Sequence, residues 1–474
     1  MDSKSNGWWM VAAAAFAGGG AWMLGTGLHP WWVLTWFAPL PALLIAPRVN
    51  RMQAWIAAFA GYALGALNMW NYMHKVVPIL VVGIASVVGP ALLFTACVGM
   101  FRARVVKGQL ASAVLITPSL WVGVMYLYEY WSPHSTFGDL AYTQMDFLPV
   151  LQVVSVTGIY SISFLLLLLP AAIAAMCAPG QNRGQKTRVA LIVALSFAAV
   201  MGFGTWRLMT APATPRVTVG LIDSDARIYA KGDAAVALIR GYASQLPVLA
   251  AQGAQVVVIP EKIGGFGVEE ITATDAILGK AAEANHLDIV VGVERLPNFN
   301  EARYYSSDGV LAATYEKHHM LPPFESYMAV GTRRTLLTKP GGTYGLEICK
   351  DMDFPRLSRE YGEDGARLML VPAWDFVTDG WLHGRMAILR GVESGFSIAR
   401  AAKEGYLTVS DDRGRVVSET VTTKDGLAYV VASVPMGTGP TFYARTGDWF
   451  AWGNLMLLGV LFLIAMKRRT STSA

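Results

Sequence analysis

Three side chains that could share the work of a covalent acyl transfer stand in order through the polar middle of the chain. They are Glu261 in Val-Val-Val-Ile-Pro-Glu, Lys317 in Thr-Tyr-Glu-Lys-His-His and Cys349 in Gly-Leu-Glu-Ile-Cys-Lys-Asp. A thiolate is the attacking form of cysteine, a carboxylate can take the thiol proton, and an ammonium can neutralise the oxyanion of a tetrahedral intermediate. A Glu or Lys after a strand is by itself more often a solvated surface charge; order and setting make this a constellation. Other chemistries find less support. Gly264-Gly265-Phe266-Gly267 has neither dinucleotide-loop nor phosphate-loop spacing. The seven histidines form no metal motif, and His318 and His319 read as a loop pair. No cofactor and no metal are expected. Cys97 and Cys177 lie in apolar stretches, so Cys349 has no disulfide partner in the polar middle.

These residues need a scaffold, and short apolar runs directly precede each of them. Val217 to Ile222, Gln255 to Ile259, Asp288 to Val293, Gly309 to Tyr315, Tyr344 to Ile348 and Leu368 to Val371 read as strands. Segments 232–251, 270–285, 355–362 and 383–396 read as helices. Their alternation predicts an α/β domain, and sites in such domains gather at strand ends. Ala211-Pro-Ala-Thr-Pro215 reads as a stiff linker leading into it.

The flanks differ in kind. The chain is 54% hydrophobic and 15% charged, against about 25% charged in ordinary soluble proteins, and the deficit lies in the first 210 residues and the last 27. A helix needs about 20 apolar residues to cross the hydrocarbon layer. Spans are predicted near 8–25, 31–47, 53–73, 77–101, 110–130, 150–177, 188–209 and 448–466, the first two being short enough for one to be buried or re-entrant. The first resembles a signal peptide only weakly and is taken as retained. Arg48 and Arg51, then Arg102, Arg104 and Lys107, then Arg183, Lys186 and Arg188, then Lys467, Arg468 and Arg469 fall in alternate loops and the tail. The positive-inside bias puts them in the cytoplasm and 210–445 on the outer side. That placement accounts for the net charge of +5 without a nucleic-acid partner. The expected divisions are a transmembrane domain at 1–210 with about seven helices, a catalytic domain at 211–440, and a last helix with a basic tail at 441–474.

In this order and context, Glu261, Lys317 and Cys349 resemble the triad of the nitrilase, or carbon-nitrogen hydrolase, superfamily, which implies an αββα sandwich. The apolar part narrows the resemblance to the apolipoprotein N-acyltransferase family. Pro118-Ser-Leu-Trp-Val, Gly138-Asp-Leu-Ala-Tyr-Thr-Gln-Met-Asp, Gly158-Ile-Tyr-Ser-Ile-Ser-Phe and Thr441-Phe-Tyr-Ala-Arg-Thr-Gly-Asp-Trp449 carry it, with Phe37-Ala-Pro-Leu-Pro and Trp381-Leu-His383 adding to it. The resemblance spans nearly the whole chain. It implies a multi-pass protein of the bacterial inner membrane whose catalytic domain faces the periplasm. Cys349 would take an acyl chain from a phospholipid and pass it to the α-amine of a diacylglyceryl-cysteine lipoprotein. Glu325, in Pro-Pro-Phe-Glu-Ser-Tyr, matches the family's assisting glutamate, orienting Lys317 or sharing a proton. Trp374, Trp381, Tyr327 and Met328 are expected at a lipid-facing mouth, with Lys350 and Asp351 also near the substrate.

The sequence departs from the family pattern around the site. Lys350 stands where an aromatic is usual after the nucleophile, Asp351 keeps the acid, and a second cation there would lower the thiol pKa further. Val371-Pro-Ala-Trp-Asp-Phe keeps Trp374 without the Asn-Asp pair, and Ala402-Lys-Glu-Gly405 replaces an Asn-Asn-Gly turn. The same triad would serve a diverged transferase acting on another amine, or a membrane-tethered amidase or nitrilase. A binding module for envelope partners has no need of all three residues.

Overall fold

The computed structural model describes residues 6–470, apart from residues 78 and 227. The chain divides into two compact units. One comprises Met1–Trp131, Gly138–Trp206 and Asp448–Ala474, and the other Ser132–Phe137 and Arg207–Gly447.

The first unit is helical. Its longer helices are Asn6–Gly25, Arg51–Ala66, Leu80–Val105, Leu110–Trp131, Tyr160–Met176, Arg183–Met209 and Trp449–Thr470. Among the described residues, Leu80–Val105, Leu110–Trp131 and Arg183–Met209 are long and apolar enough to cross a bilayer. Helix Arg51–Ala66 begins at a capping box, in which the Asn50 side chain accepts from Gln53 N at 2.9 Å and Gln53 Oε1 accepts from Asn50 N at 3.2 Å. Two expected spans are interrupted. The stretch 31–47 forms two short helices, Trp32–Thr35 and Leu40–Ile45, parted where Pro39 removes a backbone donor. The stretch 150–177 breaks before Tyr160–Met176 at Gly158, whose φ of +72° a helix cannot contain. The side chains of Lys467, Arg468 and Arg469, and residues 471–474 of the expected tail, lie outside the described residues.

Among its described residues the second unit carries fourteen strands: β1 (Arg216–Asp223), β2 (Ala230–Lys231), β3 (Val256–Ile259), β4 (Gly264–Phe266), β5 (Asp288–Arg295), β6 (Phe299–Tyr305), β7 (Leu311–Glu316), β8 (Thr335–Lys339), β9 (Gly342–Leu346), β10 (Ala366–Trp374), β11 (Ser397–Lys403), β12 (Tyr406–Ser410), β13 (Val416–Val421) and β14 (Ala428–Pro435). One sheet runs β14-β1-β3-β5-β4-β2, extended by β6 on β5 and β7 on β6; the other runs β13-β12-β11-β10-β9-β8. Strands β1, β3 and β5 are mutually parallel, as are β9, β10 and β11.

Period-two alternation makes each sheet two-faced. Val217, Val219, Leu221, Val256 and Val258 meet Leu346, Leu368, Leu370, Ala399 and Val409 in a core between the sheets. The opposite residues Ile222, Val257, Ile259 and Val291 pack against Val236, Ile239, Leu246, Leu249 and Leu278 of the covering helices. On the other outer face Met369, Val371 and Ile398 pack against Leu357, Tyr361 and Ala387. The result is a four-layer αββα sandwich. Truncating one such residue, for example Leu370, costs about 2 to 5 kcal/mol. Segment Asp233–Ala251 is apolar enough to pass for a span, but it is two helices, Asp233–Ala243 and Leu246–Ala251, whose apolar face is spent on the sheet.

Candidate functional site

Glu261, Lys317 and Cys349 each leave the end of a strand, after β3, β7 and β9 respectively. The turn carrying Glu261 reaches across to the other sheet, where its backbone N–H donates to Ala373 O on β10 at 3.2 Å. Gly292 on β5 makes room for that turn, since a Cβ there would stand 2.4 Å from Glu261 Cα. The Cys349 thiol lies 3.5 Å from Trp374 O, the next carbonyl along β10. Glu261 and Cys349 are therefore hung from adjacent residues of one strand.

Cys349 has φ +46°, a region that non-glycine residues enter at a cost of about 1 to 3 kcal/mol. The turn survives because Asp351 anchors it from below. Its Oδ2 accepts from Ile348 N at 3.2 Å and from Tyr315 OH at 2.8 Å, and its Oδ1 accepts from His319 N at 2.8 Å and His318 N at 3.2 Å. Lys262, Val377 and Glu404, on neighbouring loops, also have positive φ. For the β-branched Val377 this is a true outlier, held by its own N–H on Glu404 O at 2.9 Å.

Lys317 is buried and joins two carboxylates, donating to Glu261 Oε1 and to Glu325 Oε2, each at 2.8 Å. Burial works against its charge, but Glu261 and Glu325 outweigh burial and hold the pKa well above the usual lysine value. Glu325 experiences the reverse: burial opposes ionisation, Lys317 and then Lys262 overcome it, and its pKa drops to about 2. Burial and the Glu261 charge push the Cys349 thiol well up, with Lys317 opposing. At rest the site therefore holds a neutral thiol beside a carboxylate and an ammonium. Attack at such a thiol requires the proton to leave as the bond forms, and of the two carboxylates only Glu261 acts on the thiol.

The expected substrate contacts divide. Trp374, Tyr327 and Met328 flank the three residues. Trp374 is half-buried, with its indole N–H on Glu404 Oε2 at 2.9 Å. Tyr327 is exposed and donates to Glu294 Oε1 at 3.3 Å. Met328 is buried, its N–H on Glu325 O at 2.9 Å. Trp381 lies on helix Gly380–Ser394 beneath the Arg385 guanidinium. Asp351 and Lys350 are corrections. Asp351 is fully enclosed and both its oxygens are taken by the anchoring bonds, so it faces the protein and not a substrate. Lys350 is also buried, pairing with Asp353 at 3.2 Å and His134 Nδ1 at 3.3 Å. Its ammonium is engaged by Asp353 and His134, and the thiol pKa is raised on balance by burial and Glu261.

Several residues went unread in the sequence. Asn300 on β6 donates to Glu261 Oε1 at 2.6 Å and to Glu325 Oε1 at 3.0 Å. Lys262 donates to Glu325 Oε1 at 2.6 Å. A buried two-pronged ion pair links Arg400 on β11 to Asp375, at 3.0 and 2.5 Å. Lys403, at the end of β11, is buried among carbonyls. Beneath the Cys349–Asp353 turn, His383 pairs with Asp379 at 3.2 Å and stacks on Phe137, while Thr136 Oγ1 donates to Asp353 O at 2.8 Å.

Residues 10–173 match the family model described as Apolipoprotein N-acyltransferase N-terminal domain, and residues 222–433 match that described as Carbon-nitrogen hydrolase. The Apolipoprotein N-acyltransferase of Geobacter metallireducens is 26% identical over 94% of this chain and 92% of its own. That of Gloeobacter violaceus is 27% identical over 95% and 94%. Among solved structures, an amidase from Nesterenkonia sp. aligns at 20% identity with a TM-score of 0.42, covering 50% of this chain and 96% of that one.

Proposed function

Because the chain belongs to the apolipoprotein N-acyltransferase family, the membrane branch of the nitrilase superfamily, we propose that it carries an acyl chain from a phospholipid to the α-amine of a diacylglyceryl-cysteine lipoprotein through a thioester on Cys349. One observation carries the reading: a buried Glu261-Lys317 ion pair whose charges both act on the thiol of a partly exposed cysteine.

Glu261 takes the Cys349 proton as sulfur attacks the ester carbonyl. The carbonyl oxygen becomes an oxyanion beside the Lys317 ammonium. Collapse breaks the ester C–O bond, and the lysophospholipid hydroxyl leaves with the proton from Glu261. In the second half the acceptor amine attacks the thioester, Glu261 takes an amine proton, and the departing thiolate recovers it. Glu325, fixed by Lys262, Asn300 and the Leu321 N–H at 3.0 Å, keeps Lys317 aimed through both steps. The apolar helices fit a chain whose substrates are both lipids. The Lys/Arg bias of its loops supports a cytoplasmic membrane with residues 210–445 on the periplasmic side.

The test is the intact mass of the purified protein after incubation with phospholipid vesicles, for wild type and Cys349→Ser, with and without hydroxylamine. A hydroxylamine-sensitive acyl adduct on the wild type alone is expected. Its absence, from protein whose Cys349 still alkylates, overturns the phospholipid donor and turns attention to small amides.

A further inference from the structure

Lys403 is a buried cation without a carboxylate partner. Its residue is 1% exposed, and among the described residues no acidic oxygen lies within ion-pair distance of its ammonium. Its contacts are the carbonyls of Ile228 at 2.6 Å and Lys262 at 2.7 Å, and the face of Trp374, whose ring centroid is 3.7 Å away. Two acceptors and one π face match the three N–H groups of an ammonium. Burying such a charge unpaired is costly, and proteins retain the cost mainly at working sites.

The contacts tie together what the reaction needs held. Lys262 follows Glu261 directly, has φ +46°, and grips Glu325 with its own ammonium. Trp374 supplies the carbonyl that receives the thiol. We infer that Lys403 is a positioning residue for acyl transfer, whose ammonium pulls the Glu261-Lys262 turn and the end of β10 together so that base and nucleophile meet. It touches no reacting atom and acts through Lys262 and Trp374. The inference rests on the thioester reading above.

The groups acting on Lys403 make its charge conditional. Burial lowers its pKa to about 7; Glu261, Asp223 and Glu404 oppose this, and Lys262 reinforces it. Asp225 Oδ1 accepts from the N–H of Glu404, the residue after Lys403, at 2.7 Å. The ammonium is thus present below about pH 7 and lost above it.

The experiment follows thioester formation on the full-length protein, and in parallel alkylation of Cys349 by iodoacetamide, from about pH 5.5 to about pH 9. In the wild type both rates should bend downward from the expected thiolate rise near pH 7. Lys403→Arg, charged throughout, should move that bend above the range. Lys403→Met should abolish it, with a loss of about tenfold to a hundredfold confined to the acid side. A Lys403→Met protein that keeps the wild-type profile, or is slowed equally at every pH, overturns the inference. If Lys403→Met does not fold, an unmoved bend in Lys403→Arg does the same. Should the wild type form no thioester while alkylation still shows a bend that the variants shift, the positioning role stands and the phospholipid reading falls. Alkylation of Lys403→Met at the wild-type rate at every pH removes the positioning role whatever the donor.

Discussion

Replacing Lys317 with methionine keeps side-chain length and most of the volume while removing the cation that touches both Glu261 and Glu325. Two losses follow, with separate magnitudes. The oxyanion loses its donor, worth about 3 to 4 kcal/mol in barrier, so thioester formation should fall by about a hundredfold to a thousandfold. The fold loses a charge pair. Glu325 sits at about 2 against an ordinary 4.5, burial opposing and Lys317 and Lys262 prevailing, and such a depression is worth about 3 kcal/mol at neutral pH. Lys262 retains part of this at 2.6 Å, so the variant should lose about 2 to 3 kcal/mol, or about 4 to 12 °C in Tm for a unit of this size. The sign follows from the depressed folded pKa. The contribution is complete above 4.5, the unfolded value, and disappears as pH falls toward 2. Thermal unfolding of both proteins at neutral pH and at several points below 4.5 should therefore show the gap closing on acidification. A gap of constant size would mean that packing, not charge, was lost, and thioester formation at the wild-type rate would remove Lys317 from the chemistry.

Three further outcomes can be checked by the same means. Glu261→Gln should cut thioester formation by about a hundredfold or more, yet alkylate faster with iodoacetamide at alkaline pH, because the charge that helps raise the thiol pKa is gone; slower alkylation would contradict the electrostatic account. His383 has its pKa raised to about 9, burial being outweighed by Asp379 and Asp353. It stabilises the fold fully below its unfolded value near 6.5, and that support fades as pH rises through about 9, so the Tm difference from His383→Gln should shrink over that interval. Gly405→Ala would place a Cβ 2.2 Å from Asp375 Oδ2; breaking the buried Asp375-Arg400 pair should cost about 3 to 5 kcal/mol, and an unchanged Tm would show that the loop can step aside.

The legible part of the site was the part carried by clean alternation. The run before Glu261 is apolar and ends abruptly in polar residues, and that before Cys349 is apolar but for Glu347, which marks a strand leaving a core. Strand β6, Phe-Asn-Glu-Ala-Arg-Tyr-Tyr, gives no such signal, because Glu301 and Arg303 pair with each other at 2.8 Å and are buried together. Asn300 went unread with it. Strand β11, Ser-Ile-Ala-Arg-Ala-Ala-Lys, is buried on both faces and rich in alanine, so neither period shows; Arg400 and Lys403 were hidden for that reason. Lys350 was expected near the substrate from its adjacency to Cys349 in sequence, whereas in the Cys349–Asp353 turn its ammonium is buried on Asp353 and His134. In the apolar part composition located the segments, but Pro39 and Gly158 decided which were continuous.

Segment Ser132–Phe137 belongs to the second, α/β unit although some seventy residues of other structure separate it from Arg207–Gly447 in the chain. Thr136, His134 and Phe137 meet Asp353, Lys350 and His383, so six residues encoded far upstream supply part of the floor under the Cys349 turn. A gene cut at codon 207 would therefore not yield an enzyme freed from its anchor. It would yield one with a missing tile, and transplanting the activity onto a soluble carrier would require that hexapeptide to be grafted back.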